Sequence, residues 1–156
     1  MNTTILFLGG FETSATALSF ITYALGKHPD VQEKVRQEVK EVLNEGGSLD
    51  YETVTKKLKY VTQVIDEAMR IWPAGLTFSE ENVGRIPKLA FQPFGMGPRN
   101  CLGIRLAYVE LAYTVARMTQ HFRWELGESQ KGEMPFGQYG MVSTPGRGPW
   151  IVFHRL

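Results

Sequence analysis

Phe94-Gly95-Met96-Gly97-Pro98-Arg99-Asn100-Cys101-Leu102-Gly103 holds the only cysteine of the chain, at the end of a glycine-rich loop and directly before an apolar helical stretch. The unpaired N–H groups and positive end of such a helix favour an anionic sulfur. A soft thiolate held there suits iron. Gly95, Gly97 and Gly103 let the backbone turn tightly and approach something flat without Cβ atoms in the way. Arg99 offers a fixed cationic fork to a carboxylate. A lone cysteine is more commonly a small buried hydrophobe. On the thiol alone that reading is favoured for Cys101.

The stretch resembles the haem-ligand loop of the cytochrome P450 family, F-x-x-G-x-R-x-C-x-G. Phe94, Gly97, Arg99, Cys101 and Gly103 match it, as does the extra Gly95. The resemblance implies haem b (iron protoporphyrin IX) as cofactor and Cys101 as its axial thiolate and metal ligand. It makes Arg99 a propionate partner and Phe94 the shield beneath the thiolate; Ala107 and Glu110 stand where the pattern continues. The expected fold is mainly α with a small β-sheet portion, the C-terminal part of the family's fold.

Upstream, Thr3 to Gly26 carries apolar residues on most sides, which predicts a buried helix. Inside it lies Gly9-Gly10-Phe11-Glu12-Thr13-Ser14. Two interior glycines cost about 1 kcal/mol each, and are kept where something lies against the backbone or the helix opens. Thr13 can bond back to a carbonyl of the preceding turn. The segment is similar to the family's [AG]-G-x-[DE]-T. By that resemblance Gly9 and Gly10 bind on the oxygen side of the haem, and Glu12 and Thr13 order the water that delivers protons.

Next, residues 29–72 read as helices. Pro29 starts the first, with Val31, Val35, Val39 and Val42 as its apolar stripe and Arg36 among the exposed remainder. Asp50 caps a short helix through Leu58. A third helix runs from Tyr60 to Trp72 and carries Glu67-Ala68-Met69-Arg70, an acid and a base on one face with apolar neighbours that suggest burial. The family's Glu-x-x-Arg pair, structural in role, corresponds to Glu67 and Arg70. Lys56, Lys57 and Lys59 form a small basic cluster, read as a solvated face that could also receive an electron donor.

Residues 73–93 form a shortened loop, without helix or strand period. Family members carry several dozen residues between these landmarks, including a meander arginine that completes the Glu/Arg network. Here Ala74-Gly75 resembles the start of that stretch and Phe78-Ser79-Glu80-Glu81-Asn82 its end. This is an internal deletion, such as a skipped exon or a faulty gene model. Residues 94–120 comprise the cysteine loop and a helix whose core face includes Leu106, Val109, Ala112, Val115 and Ala116. In residues 121–156, Phe122–Leu126 alternates as a strand, and Met141–Thr144 and Trp150–Phe153 form a closing hairpin across Pro145–Pro149. A Cys101–His121 catalytic dyad is an alternative that nothing orients.

At 156 residues and a net charge of +1, the composition is that of an ordinary globular domain. It gives no reason to expect nucleic acid as a partner. One cysteine excludes an internal disulfide. No run reaches the roughly 18–20 apolar residues of a membrane span.

The implied activity is haem-thiolate monooxygenation of an apolar small molecule of xenobiotic, steroid or fatty-acid type. An NADPH-dependent flavoprotein reductase, the NADPH–cytochrome reductase, supplies electrons, with cytochrome b5 as a further donor. Peroxide isomerases of the same fold need no proton relay, so Glu12-Thr13 favours the monooxygenase. Pro98-Arg99-Asn100 is most similar to animal microsomal members of the drug-metabolising or thromboxane-synthase type, which implies the endoplasmic reticulum membrane. The alternative is a catalytically inactive truncated or alternatively spliced product. Such a chain lacks the anchor and earlier helices, exposes apolar surface, and is expected to bind haem weakly or not at all.

Overall fold

Pro29, whose fixed φ suits the first turn of a helix, opens α2 (Pro29–Asn44) in the computed structural model. The structure describes residues 3–44, 46–72, 92–130, 133–134, 136–139, 142–146 and 148–156. α1 (Thr3–Lys27) precedes α2, and α3 (Tyr51–Lys56), α4 (Lys59–Ile71) and α5 (Ile104–His121) follow it. Among the described residues four strands complete the order: β1 (Phe122–Leu126), β2 (Phe136–Tyr139), β3 (Val142–Pro145) and β4 (Ile151–Arg155). The chain is mainly α with a small β portion, as its patterns imply. The shortened loop at 73–91 lies outside the described residues. No helix among the described residues is long and apolar enough to cross a membrane.

Apolar side chains at helical spacing meet in one cluster. Ile21 and Leu25 of α1 join Val35 and Val39 of α2, Val61 and Ile65 of α4, and Leu111, Val115 and Ala116 of α5. Trp124 of β1 is 1% exposed within the same cluster. Its indole N–H donates to Thr22 O at 3.0 Å, so its one polar group is satisfied. Gly26 does not end α1. It is buried against the β1–β4 sheet, where an added Cβ would meet Leu126 Cδ2 at 3.2 Å and Trp124 Cδ1 at 3.5 Å.

Two helix ends are capped across the fold. Glu38 of α2 accepts from Tyr60 N at 2.7 Å and Val61 N at 2.9 Å, which satisfies the first turn of α4. Arg36 is the correction to the exposed face expected of α2. It is buried, and donates from Nε to Thr119 O at 3.0 Å and from Nη2 to Phe122 O at 2.9 Å. It also pairs with Glu33 through Nη1. These carbonyls end α5, where a cation complements the helix dipole. Buried Gln32 joins them, donating from Nε2 to Leu25 O at 3.1 Å and to Trp124 O at 2.9 Å. Its Oε1 accepts from Trp124 N at 3.1 Å.

Asp50 caps α3 as expected, accepting from Thr53 N at 2.8 Å. That bond holds its carboxyl below the usual aspartate range. The closing hairpin differs from expectation. β4 pairs antiparallel with β1, Trp124 opposite Phe153 and Leu126 opposite Ile151. β3 pairs instead with β2, Tyr139 opposite Val142. β2 and β3, neighbours in sequence, pair with each other, and β4 covers the strand that carries the core tryptophan. The sequence reading had no β2.

The helix expected to be buried throughout is buried along one half only. From Thr16 onward α1 faces the core, whereas Phe7 is 70% and Phe11 67% exposed, their rings stacked at 6.2 Å. Leu106, expected in the core of α5, is 61% exposed.

Candidate functional site

The loop before α5 folds on its glycines. Gly95 and Gly97 have φ of +74° and +78°, a region that side chains with a Cβ rarely enter. Gly95 N donates to Gln92 O at 3.0 Å, and Gly97–Arg99 form one 3₁₀ turn closed by Asn100 N on Gly97 O at 3.2 Å. Cys101 N then donates to Phe94 O at 2.9 Å. The first hydrogen bond of α5, Ala107 N to Gly103 O at 2.8 Å, follows directly. Cys101 is thus an exposed free thiol at the foot of a helix. Arg99 is exposed beside it in the chain, as are the apolar Met96, Leu102 and Leu106. Phe94 is half-buried, its ring 5.3 Å from that of Tyr108.

On α1, the Thr13 hydroxyl donates to Gly9 O at 2.5 Å, the back-bond expected from the sequence. Glu12 is exposed next to it. The helix runs through Gly9 and Gly10 without opening. A Cβ at either glycine would meet nothing within 4 Å, so no described part of the chain fills the space beside them.

Two contacts relate the segments. Ser14 Oγ donates to Glu110 Oε2 at 3.1 Å, and Thr22 O accepts from Trp124 beyond the far end of α5. α1 and α5 therefore run in the same general direction. Their N-terminal ends, one with Gly9 to Thr13 and the other with Cys101, lie toward the same end of the bundle.

Glu67 and Arg70 form a bidentate pair, with Nε to Oε2 at 2.7 Å and Nη2 to Oε1 at 2.6 Å. The burial expected for it is not found: the Arg70 and Glu67 side chains are 40% and 56% exposed. The pair sits on the flank of α4, while Val61, Ile65, Ala68 and Met69 take the inward face. Hydrogen bonds from Arg70 hold the Glu67 carboxyl below the usual glutamate range. The pair's stabilisation is therefore present above that range and lost as pH falls through the lowered pKa. With both partners half in water, Glu67→Gln is expected to cost less than about 1 kcal/mol at pH 7. Urea unfolding followed from pH 7 into acid should show this cost shrinking as the Glu67 carboxyl protonates.

Sequence reasoning missed the bond that ties α4 to the cysteine helix. Tyr108 of α5 donates its O–H to Asp66 Oδ1 at 2.6 Å, across 42 positions of chain. Burial, and then this bond, push the Tyr108 phenol above its ordinary range. The signal lay in Asp66 beside Glu67, the other acid of α4, which is exposed, but no local spacing names its partner. The Cys101–His121 alternative fails on length. Cys101 precedes the 18-residue α5 and His121 ends it, so the helix sets them roughly 25 Å apart at a rise of about 1.5 Å per residue.

These residues fit a thiolate-held iron macrocycle. Among the described residues no group of three or more His, Cys, Asp or Glu is placed to hold a metal ion. The exposed thiol, the apolar Leu102 and Met96 near it in the chain, the Arg99 cation and the open space at Gly9 and Gly10 match a flat, apolar, acid-bearing group.

Comparison with known proteins gives a consistent answer. The family model described as Cytochrome P450 matches residues 1–78 and 76–152. The chain is 29% identical to cytochrome P450 3A7 of Homo sapiens over 167 residues, which cover 78% of this chain and 33% of that protein. It is 30% identical to cytochrome P450 6a8 of Drosophila melanogaster over 170 residues, 77% of this chain and 33% of that one. With cytochrome P450 3A41 of Mus musculus the identity is 24% over 184 residues, 88% of this chain and 36% of the relative. The chain thus spans about a third of the length of the curated relatives it matches. In the last alignment 88% of 156 residues is about 137, so about 47 of the 184 positions face no residue of this chain. The two family segments part at residues 76–78, between Gly75 and Phe78 where the sequence reading set the internal deletion. The chain belongs to the cytochrome P450 family.

Proposed function

We propose that this chain carries the two faces of the haem site of a monooxygenase, which inserts one oxygen atom from dioxygen into an apolar organic substrate. One observation above all supports this: the Gly9–Thr13 segment and the exposed Cys101 lie toward the same end of two helices joined by Ser14 and Glu110. When bound, haem b would supply the redox iron for oxygen activation, with electrons from an NADPH-dependent reductase. Cys101 Sγ would hold it from below, with Phe94 O fixing the cysteine backbone. Arg99 would pair with a propionate, and Ala107, half-buried in the first turn of α5, would border the ring.

Above it, Gly9 and Gly10 leave room at the backbone. Thr13 Oγ1 keeps its own proton on Gly9 O, which leaves its lone pairs free to accept from a water. The exposed Glu12 carboxylate exchanges protons with solvent and can pass them to that water. Lys56, Lys57 and Lys59 are exposed and offer a cationic cluster on which the reductase would dock. The endoplasmic reticulum membrane is the setting we infer from resemblance to microsomal members.

A second reading has its own support: this product is catalytically inactive, truncated or alternatively spliced. Phe7, Leu8 and Phe11 are more than half exposed on α1, Leu102 is 86% exposed, and the Glu67–Arg70 pair is open to water. One experiment separates the two readings. The chain is expressed with haem, reduced, and exposed to carbon monoxide. A red-shifted Soret band lost entirely in Cys101→Ser carries the first reading; no band in the parent chain carries the second.

A further inference from the structure

The cysteine loop is tied to the helices through one large side chain. Gly95, Met96, Gly97, Pro98, Arg99 and Asn100 are all exposed, whereas Phe94 at the head of this run reaches inward. Its ring rests on Tyr108, 5.3 Å between centroids and tilted by 44°. Its carbonyl accepts the Cys101 N–H at 2.9 Å. Whatever fixes the Tyr108 ring therefore fixes Phe94, and Phe94 fixes the backbone that bears the thiol.

Tyr108 has two rotatable side-chain torsions, and a partner at its far end locks both. That partner is Asp66 of α4, whose Oδ1 accepts the phenol proton at 2.6 Å. A short bond to a carboxylate in a half-buried setting is stronger than a neutral one. Asp66 directly precedes Glu67, whose fork holds Arg70 one turn on. The acid–base helix and the cysteine loop, 31 positions apart between Arg70 and Cys101, are thus joined through Tyr108.

We propose that Asp66 and Tyr108 are positioning residues for the thiolate: their hydrogen bond holds Phe94, and through it sets the backbone of Cys101 for the cofactor. This deepens the haem-thiolate reading and rests on it for the purpose of the positioning, whereas the mechanical link itself belongs to the chain alone. Neither residue touches the cofactor in this scheme.

The test measures residue-resolved amide exchange by NMR on the full chain without haem. In Tyr108→Phe, which keeps the ring, the Cys101 and Gly95 amides are expected to exchange about tenfold faster. The core amides of Val39 and Val115 should be unchanged. Asp66→Asn still offers an acceptor but no charge, and is expected to give about threefold on the same two amides. The double variant should add nothing to Tyr108→Phe.

Unchanged Cys101 exchange in Tyr108→Phe overturns the proposal, as does equal acceleration throughout the core, which would mark a general packing role. If Tyr108→Phe fails to fold, Asp66→Asn decides: selective acceleration supports the link, and an unchanged rate sinks it. Loading with haem and carbon monoxide then judges the other half. A parent chain with a thiolate band and a Tyr108→Phe chain with a smaller one support positioning, and equal bands overturn it. A parent chain with no band refutes the haem reading, and the exchange rates still decide the link.

Discussion

Arg36→Met is expected to lower the unfolding free energy by about 3 kcal/mol. The methionine replaces the aliphatic stem of a side chain that is 3% exposed, so little packing volume is lost. What disappears is the donor fork. Thr119 O and Phe122 O lose their bonds from Arg36 Nε and Nη2. Gln32 Oε1 loses its bond at 3.2 Å and keeps Trp124 N. The Thr119 carbonyl is left buried and the Phe122 carbonyl part-buried with no replacement donor, and a buried loss of this kind costs about 1–3 kcal/mol. The pairing with half-exposed Glu33 adds little. Urea unfolding at pH 7 should show a lower midpoint with an unchanged slope. In a chain of this size the melting temperature should fall by about 10 °C. A change under about 1 kcal/mol would mean that water reaches those carbonyls.

Trp124→Ala is expected to cost about 4 kcal/mol. Trp124 is 1% exposed, and Phe153 of β4 lies against it at 5.7 Å. Its removal leaves a cavity between α1, α2 and the β1–β4 pair that the rigid Ile21, Leu25 and Val35 cannot fill. The indole bond to Thr22 O goes with it. Trp124→Phe, which keeps most of the volume but not the N–H, should cost about half as much. If both variants unfold at the parent midpoint, the sheet does not belong to the cooperative unit.

Local chemistry was legible in the sequence and long-range pairing was not. Asp50, Pro29 and the Gly95/Gly97 turns act over three or four residues, so the order of the chain states their roles. Arg36 was misread because its charge outweighed its spacing. Gln32, Val35, Arg36, Val39 and Val42, the buried set of α2, recur at the intervals of a single inward stripe, in which Arg36 meets the carbonyls ending α5 and Gln32 those of Leu25 and Trp124. The pairing of β4 with β1 was missed because the Pro145–Pro149 turn looks like a hairpin in isolation. Tyr108 and Asp66 each look ordinary alone. The exposure of Phe7 and Phe11 is a matter of what lies beside them, which periodicity does not record.

The candidate site followed the same division. The types of the site residues and the Thr13 back-bond were readable. The approach of the two motifs was readable only through resemblance, since Ser14 and Glu110 are separated by 96 positions. The half-exposed Glu67–Arg70 pair corrected an expectation drawn from apolar neighbours, which turn out to line the opposite flank of α4.

The clamp on the C-terminal end of α5 also sets an order of events. The buried residues of that helix, Leu111 to Thr119, lie on its clamped side, about 15 Å or more by helical rise from the cysteine. Local opening takes the least free energy where burial is least, so the thiol end can breathe while the clamped end stays shut. On the haem-binding reading proposed above, cofactor uptake would be a docking on a finished frame and not a step in building it. Its loss would leave behind a standing scaffold, ready to be loaded again.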